Sequence, residues 1–263
     1  MLNRHASAYS LLIHEATRTV FVLNPKVMSS FTRRLLRRGL RRFHGLGDPS
    51  GGRLALVGAA RRFPIASLGS HLSVALRPRR YEAFAVVRDP YARLHSAWRD
   101  KILGGHLATP EGRDDGYPPS VRGRELAALR SFARKRGLPG GKPGTLVPFR
   151  TFAVWVASQP EGGRNVHWDS QHMVIQHQHF RFARIFRMED EIDEAFVTVF
   201  SRIGFPPPWI CRQLLRPVNA SPPTSERIYD ADAASLVHQA FRRDFELFGY
   251  DPGRSPGSVR SAA

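Results

Sequence analysis

Short apolar segments and longer amphipathic segments alternate along the chain. The apolar segments predict strands at about 18–24, 81–88 and 182–187. The amphipathic segments predict helices at about 29–43, 90–102, 149–158, 190–203 and 230–247. Strands that alternate with helices are typical of an α/β fold, in which helices cover a mostly parallel central sheet. We therefore expect functional residues at the carboxyl ends of the strands.

The helix predicted at 29–43 has two chemically distinct faces. Its apolar face contains Phe31, Leu35, Leu36, Leu40 and Phe43, and its polar face contains Arg33, Arg34, Arg37, Arg38, Arg41 and Arg42. Such a helix packs its apolar face on a core. The arginine face is either an ordinary solvated surface or an anion-binding surface. We favour the first interpretation because charged runs usually face solvent.

The segment after the first predicted strand has the features of a phosphate loop. The chain reads Pro25-Lys26-Val27-Met28-Ser29-Ser30 before the first predicted helix. A helix N-terminus favours anions because its first N–H groups have no helical partner and its dipole is positive there. Lys26 adds a full charge, and Ser29 and Ser30 can cap the helix or bind a phosphate. The alternative is an ordinary strand–turn–helix corner, and the GxxxxGK[ST] pattern of a kinase is missing.

The second predicted strand ends at Arg88, and a helix is predicted to begin directly afterwards. Asp89 and Pro90 suit a helix start, as a capping carboxylate and a proline at the first helical position. Ser96 follows about two turns later, so Arg88 and Ser96 are predicted to converge on one phosphate. Arg93 is predicted to point elsewhere, as a salt-bridged residue of the helix surface.

These two segments resemble the donor site of sulfotransferases that use 3′-phosphoadenosine 5′-phosphosulfate (PAPS). The patterns Pro-Lys-x-x-Ser-Ser and Val-Arg-Asp-Pro-x-x-Arg-x-x-Ser-x-Trp are similar to their 5′-phosphosulfate loop and 3′-phosphate site. Three later segments resemble the carbohydrate sulfotransferases of sulfotransferase family 2. Residues 165–171 contain their His-Trp-x-x-Gln, residues 218–221 their Val-Asn-x-Ser, and residues 243–250 end in their Asp-Phe-x-x-Phe-Gly-Tyr. The five segments occur in order between residues 18 and 250.

The resemblance implies a P-loop-like three-layer α/β fold and the transfer of a sulfuryl group from PAPS to an acceptor. The reacting group of the acceptor would be a hydroxyl or an amine, and we expect a carbohydrate or glycoconjugate. PAPS would be bound by residues of both segments: Pro25, Lys26, Val27, Met28, Ser29, Ser30, Arg88 and Ser96. Lys26 would also be catalytic, because its charge suits the leaving phosphate. The transfer needs no metal, and we expect no metal site.

The transfer also needs a base for the acceptor's proton. His71 lies between the two phosphate segments, as in several sulfotransferase branches, and an imidazole accepts a proton at neutral pH. His71 is therefore the predicted base, with a structural role as the alternative. Glu15 and Glu189 are further candidates, although Glu189 with Asp190 is better suited to cap the next helix. The resemblance implies that three residues shape the acceptor site: His167, Trp168 and Gln171. The alternative for these residues is core packing at the edge of a strand or loop, which suits Trp168 better than His167.

Length and composition limit the organisation of the chain. With 263 residues and 42% hydrophobic content, the chain can bury a sizeable core. We expect a single domain at 1–250, with an insertion or lid at about 104–146. The Gly-, Pro- and Ser-rich tail at 251–263 is predicted to be disordered.

The net charge of +18 gives an alternative function, because so basic a surface attracts polyanions. The alternative is a non-catalytic protein that binds nucleic acid or another polyanion, although we do not expect nucleic acid as the partner. Polyanion binding tolerates the loss of one charge, whereas sulfuryl transfer does not tolerate the loss of Lys26. The basic surface is also compatible with peripheral contact with an anionic membrane.

The single cysteine, Cys211, excludes a disulfide within the chain and suits a reducing compartment. No segment approaches the ~20 apolar residues that span a bilayer. Residues 1–17 also lack the apolar core of a secretory signal. We therefore expect a cytoplasmic protein that is closer to bacterial-type relatives than to Golgi-anchored members of the family.

Overall fold

The computed structural model describes residues 11–44, 73–104, 119–215 and 228–253, without the side chains of residues 44 and 119–122. The chain divides into two compact units, Met1–Arg88 with Gln171–Ala220 and Asp89–Ser170 with Ser221–Ala263. The predicted single domain at 1–250 and the predicted lid stay predictions. His71, the segment 218–221 and most of the predicted tail lie outside the described residues.

The first unit contains a four-stranded sheet with the order β1-β2-β3-β4. The strands are β1 (Leu11–His14), β2 (Thr19–Val22), β3 (Glu82–Val87) and β4 (Phe182–Arg187). β2, β3 and β4 are parallel, and β1 pairs antiparallel with β2. The prediction of an α/β fold with a mostly parallel sheet is therefore confirmed. The edge strand β1 was not predicted from the sequence.

Helices follow in the order expected for an α/β chain. They are α1 (Ser29–His44), α2 (Pro90–Ala97), α3 (Pro119–Lys135), α4 (Phe149–Ala157), α5 (Gln171–Val174), α6 (Ile192–Arg202), α7 (Pro207–Leu214), α8 (Ala231–Ala240) and α9 (Arg242–Phe248). A π-helical segment, Trp98–Leu103, continues α2. The helix predicted at 230–247 is two helices, because the chain breaks at Phe241, whose φ of −124° is not helical.

The core of the first unit lies between the sheet and helices α1, α6 and α7. Phe31, Leu35, Leu36 and Leu40 of α1 are buried together with Phe21 of β2 and Phe196 of α6. The predicted apolar face is thus confirmed except at Phe43, which is 36% exposed and makes a perpendicular ring contact with Trp209. Gly39 allows this packing, because a Cβ there would lie 2.4 Å from the ring of Phe205.

An aromatic cluster forms part of the core of the second unit. The Tyr91 ring contacts the rings of Tyr229 and Phe245, with centroids 5.1 and 5.0 Å away. The Tyr91 hydroxyl donates to the carbonyl of Pro252 at 2.9 Å, and burial raises the Tyr91 pKa to about 12. The segment that begins at Pro90 is thereby attached to the C-terminal helices of its own unit.

Candidate active site

The predicted phosphate loop forms a tight turn between β2 and α1. The Val27 N–H donates to the carbonyl of Asn24 at 3.1 Å. Lys26 and Met28 have φ angles of 69° and 53°, in the left-handed region that residues with a side chain rarely adopt. Each such residue costs on the order of 1–3 kcal/mol, and strained residues of this kind cluster at functional sites. Turns with left-handed residues can also direct successive backbone N–H groups toward an anion.

Helix α1 begins at Ser29, at the predicted position. Its first turn contains no acidic residue, so the helix supplies no carboxylate of its own at the positive end of its dipole. Both the N–H and the hydroxyl of Thr32 donate to the carbonyl of Met28, at 2.9 and 3.0 Å. Ser29 is half-buried and Ser30 is exposed. The loop therefore leads directly into a helix N-terminus that favours anions.

Arg88 contacts this loop, although 62 residues separate it from Lys26. Its Nη1 donates to the carbonyl of Lys26 at 3.2 Å. Val22 of β2 pairs with Ala85 of β3, so the parallel strands end at the same edge of the sheet. The structure therefore brings together the two cationic residues that the sequence placed at strand ends.

Gln171 lies beneath these strand ends and has no exposed surface. Its Oε1 accepts from the Asn24 Nδ2 and from the Arg88 backbone N–H, both at 2.9 Å. Its Nε2 donates to the Arg88 carbonyl at 2.6 Å. The sequence placed Gln171 in the acceptor site. In the structure its amide is bonded to Asn24, which precedes the predicted phosphate loop, and to Arg88 at the end of β3.

Asp89 and Ser96 belong to the second unit. The Asp89 side chain accepts from the Ala92 N–H at 2.8 Å and Pro90 occupies the first turn of α2, so the predicted helix start is confirmed. Ser96 lies in α2 and is 8% exposed. The convergence of Arg88 and Ser96 on one phosphate stays a prediction.

Arg93 is not the surface residue that the sequence predicted. It is 2% exposed, and its Nη1 and Nη2 donate to the carbonyls of Asp169 and Val166 at 2.7 and 3.1 Å. Burial is tolerated because backbone carbonyls satisfy the guanidinium. Arg93 therefore supports the turn that carries residues 166–169.

His167 is oriented by a chain of hydrogen bonds within the second unit. Asn165 Nδ2 donates to Glu125 at 2.9 Å, so Asn165 Oδ1 must accept from the His167 Nδ1 at 2.9 Å. The neutral imidazole thus carries its proton on Nδ1 and its lone pair on Nε2. Trp168 is 1% exposed and packs against Phe152 and Trp155, which corresponds to the core-packing alternative.

The structure separates the two glutamates that were considered as bases. Glu15 precedes β2 and accepts from the Tyr81 hydroxyl at 3.0 Å, at the amino ends of the strands and away from Lys26. Glu15 therefore lies at the opposite end of β2 from Lys26. Glu189 follows β4, at the carboxyl edge. The capping role predicted for Glu189 and Asp190 is wrong, because the N-cap of α6 is Glu191, which makes no side-chain cap bond.

Within 11–44, 73–104, 119–215 and 228–253, no three His, Cys, Asp or Glu side chains are grouped so that they could hold a metal ion. In the same ranges, no helix has the length and apolar composition required to cross a membrane.

The comparison with protein families decides the class of the molecule. The model of the sulfotransferase family, family 2, matches residues 10–251. The chain belongs to the sulfotransferase family. No curated protein and no solved structure matches this sulfotransferase. The resemblance in the donor segments is thereby confirmed at the level of the family, and the chain is a sulfuryl-transferring enzyme. Nothing in the comparisons supports the alternative of a non-catalytic polyanion-binding protein.

Proposed function

We propose that this sulfotransferase uses PAPS as its donor and transfers the sulfuryl group to a hydroxyl, or an amine, of a carbohydrate or glycoconjugate. The observation that carries the donor assignment is the 3.2 Å contact between the Arg88 guanidinium and the Lys26 carbonyl. It joins a strand-end arginine to a loop with two left-handed residues at a helix N-terminus. These features suit a ligand with phosphate groups.

The loop residues would bind the 5′ end of the donor. When bound, PAPS supplies a sulfuryl group whose S–O bond to the 5′-phosphate breaks as sulfur forms a new bond to the acceptor oxygen or nitrogen, which gives its proton to the base. Lys26 and the N-terminus of α1 stabilise the negative charge that grows on the leaving phosphate oxygen. Ser29 and Ser30 donate hydroxyl hydrogen bonds to the same phosphate. Met28 contributes a backbone N–H group, and Val27 holds the turn closed through the bond from its N–H to the Asn24 carbonyl.

Arg88 and Ser96 are the proposed ligands of the 3′-phosphate. A guanidinium makes a forked, charge-assisted contact, whereas a serine hydroxyl makes a single neutral one. The donor should therefore be distinguished from ATP, which has no 3′-phosphate. The carbohydrate acceptor rests on the resemblance of residues 165–171 and 243–250 to carbohydrate sulfotransferases.

The base is proposed to be His71, with His167 as a second candidate. The bond to Asn165 holds the proton of a neutral His167 on Nδ1, so Nε2 is the nitrogen that can accept a proton. His71→Gln should lower turnover roughly 10²–10⁴-fold without weakening nucleotide binding. Wild-type turnover of His71→Gln across a pH series, with loss in His167→Gln, would move the assignment to His167.

A thermal-shift experiment tests the donor assignment. The product nucleotide 3′-phosphoadenosine 5′-phosphate (PAP) should raise the melting temperature far more than ATP at the same concentration. A ligand at a hundred times its Kd stabilises the folded protein by about 2.7 kcal/mol. Equal shifts with PAP and ATP would contradict a 3′-phosphate site, and no shift with PAP would contradict the donor proposal.

A further inference from the structure

We infer that Gln171 is a positioning residue for the donor site: its buried amide fixes the end of β3, and so places Arg88 beside the loop of Lys26. This inference rests on the proposed use of PAPS. It assigns Gln171 to the donor side of the reaction, where the resemblance had implied acceptor binding.

The need for such a residue follows from the geometry of the sheet. Backbone groups of alternate residues in a strand point to the same side, so those of Val86 and Arg88 face the same neighbour. The ladder with β2 ends where Val22 pairs with Ala85. Beyond that point the Asn24 side chain donates to the Val86 carbonyl at 3.3 Å, and Gln171 binds both the N–H and the carbonyl of Arg88. Two side-chain amides thus continue the hydrogen bonding of β2.

Only a side chain of this length and chemistry completes the arrangement. Gln171 Oε1 accepts from two donors, while Nε2 donates to one carbonyl. A carboxylate could accept both bonds but could not donate to the Arg88 carbonyl. An asparagine is one methylene shorter, so it would not reach both backbone groups. The partners fix the orientation of the amide. If the amide were flipped, Nε2 would face the Arg88 N–H and Oε1 would face the Arg88 carbonyl.

The consequence for function is a coupling between two segments of the donor site. Gln171 joins Asn24, which precedes the phosphate loop, to Arg88, whose guanidinium donates to the Lys26 carbonyl. Loss of the amide removes the partner of two half-buried backbone groups of Arg88, so the end of β3 must shift or open to water. A displacement of the guanidinium should weaken the nucleotide contact more than it affects the overall fold.

The experiment measures PAP affinity of the whole chain by calorimetry between pH 5 and pH 8, for the wild type and for Gln171→Glu. At pH 8 the glutamate cannot donate to the Arg88 carbonyl, and affinity should be about tenfold or more below that of the wild type. At low pH the protonated glutamate can donate to the Arg88 carbonyl, and its PAP affinity should approach that of the wild type. Burial raises the pKa of a carboxyl group, so recovery should begin above the usual glutamate range.

Gln176→Glu is the matched control. Gln176 is 4% exposed, lies five residues further on, and donates to the Met173 carbonyl at 3.4 Å. Gln176→Glu also places a carboxylate in a buried position, but it leaves the bonds to Arg88 intact. Its PAP affinity should therefore equal that of the wild type at each pH. Gln171→Met is the second test variant, because it keeps the length but makes none of the bonds; its affinity should be low at every pH.

The outcomes separate the two proposals. If the wild type does not bind PAP, the donor proposal and this inference are both wrong. If the wild type binds PAP and Gln171→Met or Gln171→Glu binds it equally well across the pH series, the donor proposal stands and the role of Gln171 is wrong. If Gln171→Glu does not fold, as judged by circular dichroism, Gln171→Met alone decides.

Discussion

The two ends of the parallel strands in the first unit are built differently. At the amino ends, acidic side chains meet side-chain partners: Glu82 pairs with Arg202, and Glu15 accepts from the Tyr81 hydroxyl. At the carboxyl ends, the cationic residues Lys26 and Arg88 come together through a backbone carbonyl. Side-chain partners thus hold these acidic groups at the amino ends, while the carboxyl ends of β2 and β3 bring two cationic residues beside the N-terminus of α1.

The two ends of the strands also differ in backbone conformation. At the amino ends, the left-handed Arg18 closes the hairpin between β1 and β2, where its N–H donates to the Glu15 carbonyl at 3.1 Å. Left-handed residues are ordinary in such turns. At the carboxyl ends, Lys26 and Met28 are both left-handed within three residues of a strand–helix connection. The difference locates the conformational cost at the end that we assign to the donor.

Among changes at the two strand ends, the largest expected effect is on turnover in Lys26→Ala. The Lys26 ammonium should stabilise charge that grows in the transition state, so its removal should lower kcat by roughly 10²–10³-fold. PAP affinity should change much less. The exposed Lys142 provides a matched control, and Lys142→Ala should retain wild-type kcat. A variant Lys26→Ala with unchanged turnover would remove the functional difference between the two strand ends.

Arg93→Ala separates a structural arginine from a ligand arginine. The Arg93 guanidinium donates to two carbonyls in a buried site, and its loss should cost about 3 kcal/mol of unfolding free energy. The melting temperature should fall by about 6–12 °C. Arg242→Ala is the surface control, because Arg242 makes an exposed pair with Glu246. Equal melting temperatures for both variants would contradict the buried role of Arg93.

Arg88→Ala should weaken PAP binding more than Ser96→Ala. A charge-assisted contact contributes about 1.5–3 kcal/mol, which corresponds to roughly ten- to hundredfold in Kd. The neutral hydroxyl of Ser96 should contribute about 1 kcal/mol. Titration calorimetry with PAP measures both values. A larger loss in Ser96→Ala would reverse the assignment of the main 3′-phosphate ligand.

The smallest effect is expected at the amino ends. Arg202 pairs with Glu82 and lies over the Phe84 ring, but its side chain is 41% exposed. Arg202→Ala should therefore cost only about 0.5–1 kcal/mol of stability. PAP affinity and turnover should equal those of the wild type. A loss of PAP affinity would show that the amino ends take part in donor binding.

The sequence predicted those parts of the fold that have strong local patterns. The apolar runs predicted β2, β3 and β4, and the spacing of Phe31, Leu35 and Leu40 predicted α1. The edge strand β1 has only four residues, and its pairing with β2 depends on the hairpin. Arg93 was misassigned because helical spacing does not reveal whether an arginine meets solvent or buried carbonyls.

The sequence predicted the two cationic residues of the candidate site but not the hydrogen bonds that hold them in place. Lys26 and Arg88 follow strands, and the ends of parallel strands share an edge, so their proximity could be expected. The bond between Asn24 and Gln171 spans 147 residues, and no local pattern indicates it. The left-handed Lys26 and Met28 were also unexpected, because glycine is the usual signal for that conformation.

Hydrogen exchange with and without PAP distinguishes the two ends of the strands. We expect PAP to slow exchange of backbone amides in residues 25–32 and at Arg88, at the carboxyl ends of β2 and β3. Amides of the hairpin at 15–18 and of residues 81–83, at the amino ends, should exchange at unchanged rates. PAP binding that leaves residues 25–32 unprotected, or that protects the amino ends instead, would contradict the assignment of the donor site.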